Sequence, residues 1–527
     1  MVPPAADPPP LAHRLRDPDQ FPHPVDGVDV VETHISWVVL AGDFAYKIKK
    51  PLDLSFLDFS TLVKRRHACE EEVRLNRRQA PGLYLDVVAI AGTPERPRVG
   101  ADGPPLEFAV RMRRFDRAQE LDRLLAAGAL PPERIDELAR TVARFHDAAP
   151  AATTDAAWGD PATALANALA NFDHVRGLER AADVVARVDA LSTWTQAEHA
   201  RIAPVMAARL AAGRVRECHG DLHLANMVIH GGRVVVFDCI EFNPALRWTD
   251  VMAEVAFTAM DLTHRGRRDL AQRFVNDYLE TTGDYDGLAV LRFYVVYRAM
   301  VRAKIAAIRA AQETAAAARA GDRAGFLAHL ALAEACARRP RPALVITCGA
   351  SGSGKSHAAA LLAGTGEWIR VRSDVERKRL AGLAATERSG AALATGIYAG
   401  DMTARTYARL AALARTVVAA GYPVIVDATF LARAQRDAFR LLAAELGVPF
   451  AILAPRAPAA VMRARVAARD AAGTDASEAT PAVLERQLEM AEPLGPEELA
   501  AAVTLDAGGP VDADALAAAV AARLDAA

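Results

Sequence analysis

Residues 349–356 read Gly-Ala-Ser-Gly-Ser-Gly-Lys-Ser and fit G-x-x-x-x-G-K-[ST] at every fixed position. The strand-like run Ala343–Cys348 precedes the loop and the helix-like HAAALLA follows it, which is the setting the pattern requires. Glycines let successive backbone N–H groups turn inward around an anion, and the helix start adds the positive end of its dipole. The cradle comprises Gly349, Ala350, Ser351, Gly352, Ser353, Gly354, Lys355, Ser356 and His357. Lys355 is expected to reach the β/γ-phosphates of a nucleotide and Ser356 to ligate Mg²⁺. Downstream, a helix at Thr403–Ala420 leads through Gly421 and Pro423 into a strand at Val424–Asp427. Another helix precedes a strand at Phe450–Leu453, and a last helix falls near Ala515–Leu524. This alternation predicts an α/β domain with a parallel sheet and helices on both faces.

Three features beyond the loop point to phosphoryl transfer. Asp374 follows a strand at roughly 368–372 and is placed to accept a proton from a substrate hydroxyl. Arg377, one helical turn on, can hold the acceptor or a phosphate; the competing reading is an N-cap Asp with a surface Arg. Asp427 ends the apolar strand VIVD and is expected to act on Mg²⁺. Arg465 and Arg469 share one helix face at i, i+4 and suit a lid that neutralises transition-state charge. With GASGSGKS, SDVERKRL, VIVDATF and RARVAAR, residues 343–527 resemble the P-loop kinases that include gluconate kinase, polynucleotide 5′-kinase and zeta-toxin-like sugar-nucleotide kinases. The resemblance implies ATP-dependent phosphorylation of a hydroxyl, with Asp374 and Arg377 on the acceptor.

A second constellation lies upstream. Residues 218–226 read CHGDLHLAN, and Asp238 follows Asn226 by twelve residues. The Asp221-to-Asn226 spacing matches H-R-D-x-x-x-x-N, and MVIHGGRVVVF, between Asn226 and Asp238, reads as a hairpin turning at Gly231-Gly232. Asp221 is expected to orient and deprotonate an acceptor hydroxyl, and Asn226 and Asp238 to hold Mg²⁺. His219 and His223 read as struts of the loop, and Asp250 as a tie. Strands at Ile35–Leu40 and Phe44–Ile48 form a hairpin around Ala41-Gly42-Asp43. Alternation puts Ala45 and Lys47 on one face, with Ala45 under adenine and Lys47 on the α/β-phosphates; Lys49 shares that face and competes. Among Glu70, Glu71 and Glu72 on the next helix (roughly 61–79), Glu71 is taken as the acidic partner, although helix phase does not separate it from Glu72.

This half resembles the aminoglycoside phosphotransferase-like kinases, which also include choline and homoserine kinases. The resemblance covers residues 30–335 and implies an α+β, bilobal, protein-kinase-like fold. Two departures stand out. ETHISW occupies the place of a Gly-rich loop, and Asp238 is followed by Cys-Ile-Glu241, which makes Glu241 a candidate second metal ligand. The two halves together resemble a bacterial fusion of an aminoglycoside phosphotransferase-like domain with a P-loop ATP-binding domain.

Charge, cysteine and lysine usage narrow the function class. Lys+Arg number 63 and Asp+Glu 65, for a net charge of −2. A broad nucleic-acid surface is therefore not expected, although a local basic groove stays open. Five cysteines without a C-x-x-C pair argue against disulfides and zinc and fit a reducing cytoplasm. No signal peptide or membrane span is expected. Seven lysines stand among many arginines, which marks Lys47 and Lys355 as places needing a compact ammonium. The expected organisation is a Pro-rich extended arm (1–25), a kinase-like domain (26–336), a linker (337–342) and a P-loop domain (343–527). The expected function is bifunctional, cytoplasmic, Mg-ATP-dependent phosphoryl transfer to sugar-like or amino-alcohol small molecules. Alternatives are a nucleotide-sensing N-terminal half, a nucleic-acid 5′-hydroxyl kinase and a zeta-like toxin.

Overall fold

The structure, a computed structural model, describes residues 10–54, 57–154, 158–385, 387, 400–472 and 476–526. It divides into two compact units. One comprises Met1–Glu137, Arg144–Asn167 and Met206–Thr258; the other comprises Leu138–Ala143, Ala168–Val205 and Ala259–Ala527. Residues 337–342, read above as a linker, lie inside the second unit.

The first unit is built on a six-stranded antiparallel sheet. Its strands are β1 (Val28–Glu32), β2 (Ser36–Ala41), β3 (Phe44–Lys49), β4 (Tyr84–Thr93), β5 (Arg96–Val99) and β6 (Glu107–Arg113), in the order β1-β2-β3-β6-β4-β5. β2 and β3 pair Ala41 with Phe44, so the hairpin loop is Gly42-Asp43, one residue shorter than expected. Gly42 has φ +55°, and a Cβ there would lie 2.8 Å from the Pro24 carbonyl oxygen. Helix α1 (Leu62–Asn76) starts at Thr61, whose hydroxyl accepts the Lys64 N–H, and packs Cys69 and Val73 with Ala45 and Val110 of the sheet. The extended arm is corrected for residues 11–20: Leu11–Arg14 and Pro18–Gln20 form 3₁₀ turns. Ala12 and Leu15 are fully buried with Val39, Ile48 and Val99, so apolar burial outweighs the Pro-rich composition.

The hairpin after the catalytic loop joins β7 (Met227–His230) to β8 (Arg233–Val236). Gly231 and Gly232 take φ +57° and +76°, and a two-residue turn with both φ positive favours glycine at both positions. Helix α2 (Val251–His264) follows Asp250.

The second unit carries helix α3 (Arg268–Thr282) and a five-stranded, wholly parallel sheet. Its strands are β9 (Leu344–Thr347), β10 (Ile369–Arg372), β11 (Val424–Asp427), β12 (Phe450–Arg456) and β13 (Ala502–Asp506), in the order β10-β11-β9-β12-β13. The helices used below are α4 (Lys355–Gly364), α5 (Ser373–Leu380), α6 (Gly400–Ala419), α7 (Ala459–Ala472) and α8 (Pro481–Met490). Val345, Ile425 and Leu453 pack with Leu362 and Val520 in one core cluster. A ligand in such a sheet sits at the carboxyl ends of the strands, where the loop after β9 and Asp427 of β11 meet.

The edge strand β10 is capped within this unit. Asn276 of α3 donates to the Trp368 carbonyl at 3.0 Å and accepts the Arg370 N–H at 2.7 Å. Glu280 accepts from Arg370 at 2.9 Å and from Arg372 at 3.4 Å. One amide side chain thus offers the edge the donor and acceptor that another strand would. β10 then runs directly into α5, which bears Asp374 and Arg377. No described helix is long and apolar enough to cross a membrane, and no disulfide links the five cysteines.

Candidate active sites

In the first unit the structure gathers the expected residues around one loop. Asn226 ends a 3₁₀ turn at Leu224–Asn226. Its side-chain Nδ2 donates to the Asp221 carbonyl at 2.9 Å and to Asp221 Oδ2 at 3.1 Å, which leaves Asn226 Oδ1 as the atom to offer a cation. The β7–β8 hairpin returns the chain to Asp238, a non-glycine residue at φ +68°. Its N–H donates to the Tyr84 hydroxyl at 3.1 Å, and the neighbouring Cys239 N–H donates to Asn76 Oδ1 at 2.9 Å. A residue held in this strained region is expected where a side chain must be aimed.

Lys47 binds Glu72 at 2.8 Å and also contacts Asp238 directly. Glu71 is corrected as its partner. It lies on the outer flank of α1 with Arg74 at 2.8 Å and Arg247 at 3.3 Å, whereas Glu72 is fully buried beneath β3. Lys49 is also buried and contacts both Glu72 and Glu241. Glu241 is thus a counter-ion to Lys49, and burial pushes its carboxyl above the usual range. Burial would also raise Asp238, but the Lys47 ammonium holds that carboxyl below the usual aspartate range. The place of a Gly-rich loop is a tight β1–β2 turn in which Thr33 N–H donates to the Ser36 carbonyl at 2.9 Å.

His219 is a strut: Nε2 donates to the Phe237 carbonyl at 2.8 Å and Nδ1 accepts the Asp221 N–H at 3.2 Å. His223 does more, with Nε2 lying 3.2 Å from Asp221 Oδ2. Asp250 accepts Arg209 through both oxygens, at 2.7 and 2.8 Å, and the Met252 N–H at 2.9 Å. Glu254, on α2, escaped the sequence reading. It is fully buried and accepts the His219 N–H at 2.8 Å and the Gly220 N–H at 2.7 Å. His146 and Cys218 lie beside it, yet both carboxylate oxygens already accept backbone N–H groups, which makes the cluster a brace for the loop.

In the second unit, Gly349, Gly352 and Gly354 take φ +150°, +80° and +96°. A Cβ on Gly352 would lie 2.6 Å from the Met462 carbonyl oxygen. Gly352, Gly354, Lys355, Ser356, Arg465 and Arg469 line one cavity of about 400 Å³, which His357 joins. Arg465 donates to the Gly352 carbonyl at 3.3 Å and the Ala507 carbonyl at 2.7 Å. Ser356 Oγ donates to Asp427 Oδ1 at 3.2 Å. Among the described residues, Asp427 Oδ2 is buried without a hydrogen-bond partner. A buried carboxylate oxygen with nothing to accept, beside a serine hydroxyl, fits a hard divalent cation.

Arg377 donates to Thr403 Oγ1 at 3.2 Å, and Asp374 and Arg377 both lie in electrostatic reach of Tyr407. Gln487 of α8 was not read from the sequence; its Oε1 accepts the Ser351 N–H at 2.7 Å, inside the cradle.

Two family models match the chain. One described as the phosphotransferase enzyme family covers residues 65–294, and one described as an AAA domain covers residues 344–494. The uncharacterised protein Rv2004c of Mycobacterium tuberculosis (strain ATCC 25618 / H37Rv) is 30% identical over 465 residues, 86% of this chain and 89% of its own. Mb2027c of Mycobacterium bovis (strain ATCC BAA-935 / AF2122/97) gives the same figures. This chain belongs to their family.

It is a two-domain kinase, a phosphotransferase domain fused to a P-loop domain, as the motifs implied. Among solved structures, choline kinase from Cryptosporidium parvum Iowa II aligns with 58% of this chain and 89% of its own (9% identity, TM-score 0.38). A gluconokinase from Sinorhizobium meliloti 1021 aligns with 36% of this chain and 94% of its own (23% identity, TM-score 0.24). ATP is the phosphoryl donor that both kinase domains imply.

Proposed function

We propose that the protein is a bifunctional kinase in which each half transfers the γ-phosphate of Mg-ATP to a hydroxyl of a small molecule, sugar-like or amino-alcohol in character. The observation that carries this reading is the pairing, in each unit, of an acceptor carboxylate with a separate oxygen-donor set for a cation. In the first unit Asp221 accepts the hydroxyl proton while His223 and Asn226 hold its carboxylate. Lys47, seated on Glu72, steadies donor phosphates. Asn226 and Asp238 would hold magnesium. In the second unit Asp374 accepts the proton, Arg377 orients the acceptor, and the loop N–H groups with Lys355 bind the donor. Ser356 and Asp427 would hold magnesium there. When bound, magnesium would neutralise charge on the transferring phosphoryl group.

The test is ADP production from Mg-ATP across sugars, amino alcohols, aminoglycosides, nucleosides and 5′-hydroxyl oligonucleotides. It is run on wild type, Asp221→Asn and Lys355→Ala. Loss of different acceptors in the two variants is the expected result. Turnover that survives both variants would sink the assignment.

One observation favours a second reading for the first unit. Glu241 is committed to Lys49 and Asp238 to Lys47, so a nucleotide could bind there without reaching a competent metal geometry. A unit that binds ATP but shows no Asp221-dependent turnover would be a sensor.

A further inference from the structure

Asp427 lies at the start of a turn, residues 427–430, that is unusually constrained. Phe430 is fully buried and takes φ +45°, one of two positive-φ non-glycine residues described; the other is Asp238. A bulky side chain in that region is strained and persists only when its surroundings hold it. The turn is also fastened to the phosphate loop. Gly349 N–H donates to the Thr429 carbonyl at 2.9 Å. Thr347 Oγ1 donates to the Ala428 carbonyl at 2.6 Å and accepts the Ala428 N–H at 3.0 Å. The backbone that bears Asp427 beside Ser356 thus runs without a break into the strained Phe430 turn.

Phe430 is held from two sides: Arg436 donates to its carbonyl at 3.0 Å and Phe439 meets its ring edge-on at 5.0 Å, and α6 holds its N–H. The Phe430 N–H donates to the Tyr407 hydroxyl at 3.2 Å. The Tyr407 ring meets Phe430 edge-on at 5.2 Å and Phe439 edge-on at 6.4 Å. Burial raises the Tyr407 phenol above its ordinary range, so it stays a neutral acceptor and donor at physiological pH. One turn earlier on the same face, Thr403 accepts from Arg377 on the acceptor side.

We propose that Tyr407 is a positioning residue for the cation site: its hydroxyl pins the strained Phe430 turn and so aims Asp427 at the metal beside Ser356. This rests on reading Asp427 and Ser356 as the cation ligands of the P-loop kinase. The phenol touches neither nucleotide nor cation; it acts through the 427–430 backbone.

The test is binding of Mn²⁺ with ADP to the full chain, followed by the electron paramagnetic resonance of free Mn²⁺. The assay is run in a Lys47→Ala, Asp238→Ala background that silences the first unit. Tyr407→Phe keeps the ring and removes only the hydroxyl. The expected result is a three- to tenfold weaker Mn²⁺ affinity with the unfolding temperature of the second unit nearly unchanged. Thr403→Val, the companion on the acceptor side, is expected to leave Mn²⁺ affinity at the background value. Asp427→Asn serves as the reference and is expected to weaken Mn²⁺ more than Tyr407→Phe does. If Asp427→Asn weakens Mn²⁺ and Tyr407→Phe does not, the positioning role is wrong while the site stands. If Asp427→Asn has no effect, the underlying reading of the cation site is wrong and the role of Tyr407 falls with it. If Thr403→Val weakens Mn²⁺ as much as Tyr407→Phe, the effect belongs to α6 as a whole and the specific role is overturned.

Discussion

Removing the carboxylate of Glu254 should cost stability and loosen the catalytic loop of the first unit. Glu254 is fully buried and accepts two backbone N–H groups, from His219 and Gly220, at 2.8 and 2.7 Å. A hydrogen bond to a charged group contributes about 1.5–3 kcal/mol. Glu254→Gln keeps the volume and one carbonyl acceptor but turns an NH₂ toward the other N–H, for an expected loss of about 1.5–3 kcal/mol. Glu254→Ala removes both acceptors and should lose about twice as much, about 3–6 kcal/mol, before any cavity term. The assay is urea unfolding of the full chain followed by tryptophan fluorescence. Trp37, Trp158 and Trp248 lie in the first unit and Trp194 and Trp368 in the second, so Trp194→Phe, Trp368→Phe leaves a signal that reports the first unit's transition. That transition should move, and turnover that depends on Asp221 should fall with it. A Glu254→Gln protein that unfolds at the wild-type urea concentration with wild-type Asp221-dependent turnover would refute the argument. The loop would then be held by something other than these two hydrogen bonds.

Three further outcomes are expected. In a Lys355→Ala background that leaves only the first unit to bind, Glu72→Gln should weaken ATP about tenfold, the equivalent of about 1.4 kcal/mol, by isothermal titration. Glu71→Gln should change it less than about twofold, as for a partly exposed pair; equal effects would reverse the assignment. Gly352→Ala places a Cβ 2.6 Å from the Met462 carbonyl at a φ of +80°, so nucleotide binding at the P-loop should fall at least about tenfold, read with Asp221-dependent turnover as the internal control. For Glu217, burial alone would raise the carboxyl, yet hydrogen bonds from Arg74 and Arg247 hold it at about 2. Its folded value is depressed, so the stability it adds is full above the unfolded carboxyl value near 4.5 and is lost as pH falls toward 2. Acid titration of the first unit's unfolding should show that loss, and Glu217→Gln should flatten it.

The parallel sheet of the second unit was legible because β9, β11 and β12 carry apolar runs, β10 alternates apolar residues with Arg, and the loop after β9 has a fixed grammar. β13 was missed: AVTLD is short and sits in an Ala-rich stretch without β-branched runs, and its place is set by pairing with β12. β4 and β5 were missed for a related reason. Their outer positions are half-exposed and their connection, TPER, carries no hairpin signature. The 3₁₀ turns at residues 11–20 were hidden by prolines, because composition registers chain stiffness and does not register that Ala12 and Leu15 find a sheet to cover. Lys47, Asp221, Asn226 and Asp238 were readable because their spacings are rigid; Gln487 and Tyr407 reach their sites from distant segments through single hydrogen bonds, and no local pattern marks them.

Glu72 is a different case, because α1 carries a phase that separates it from Glu71 where hydrophobicity alone does not. The buried residues of that helix are Arg65, Ala68, Cys69, Glu72, Val73, Leu75 and Asn76, and all but Leu75 form a stripe at the i, i+3, i+4, i+7 spacing of a buried helix face. Counted by hydrophobicity alone the stripe dissolves, since half its members are polar. Counted from Ala68, Cys69 and Val73, it sets the phase: Glu72 stands three residues from Cys69 and four from Ala68, and Glu71 stands off the stripe. Each polar member has a buried partner on another element. Arg65 binds Glu107 at 2.8 Å, Glu72 binds Lys47 at 2.8 Å, and Asn76 accepts the Cys239 N–H at 2.9 Å. A polar residue held inside such a stripe costs several kcal/mol unless it is paired. It is retained where the pairing aligns something, and in α1 two of the three pairs, those of Glu72 and Asn76, run to Lys47 and to the backbone next to Asp238. The polar residues that blur a helix's apolar face are therefore the ones to test first when its neighbours carry a kinase loop.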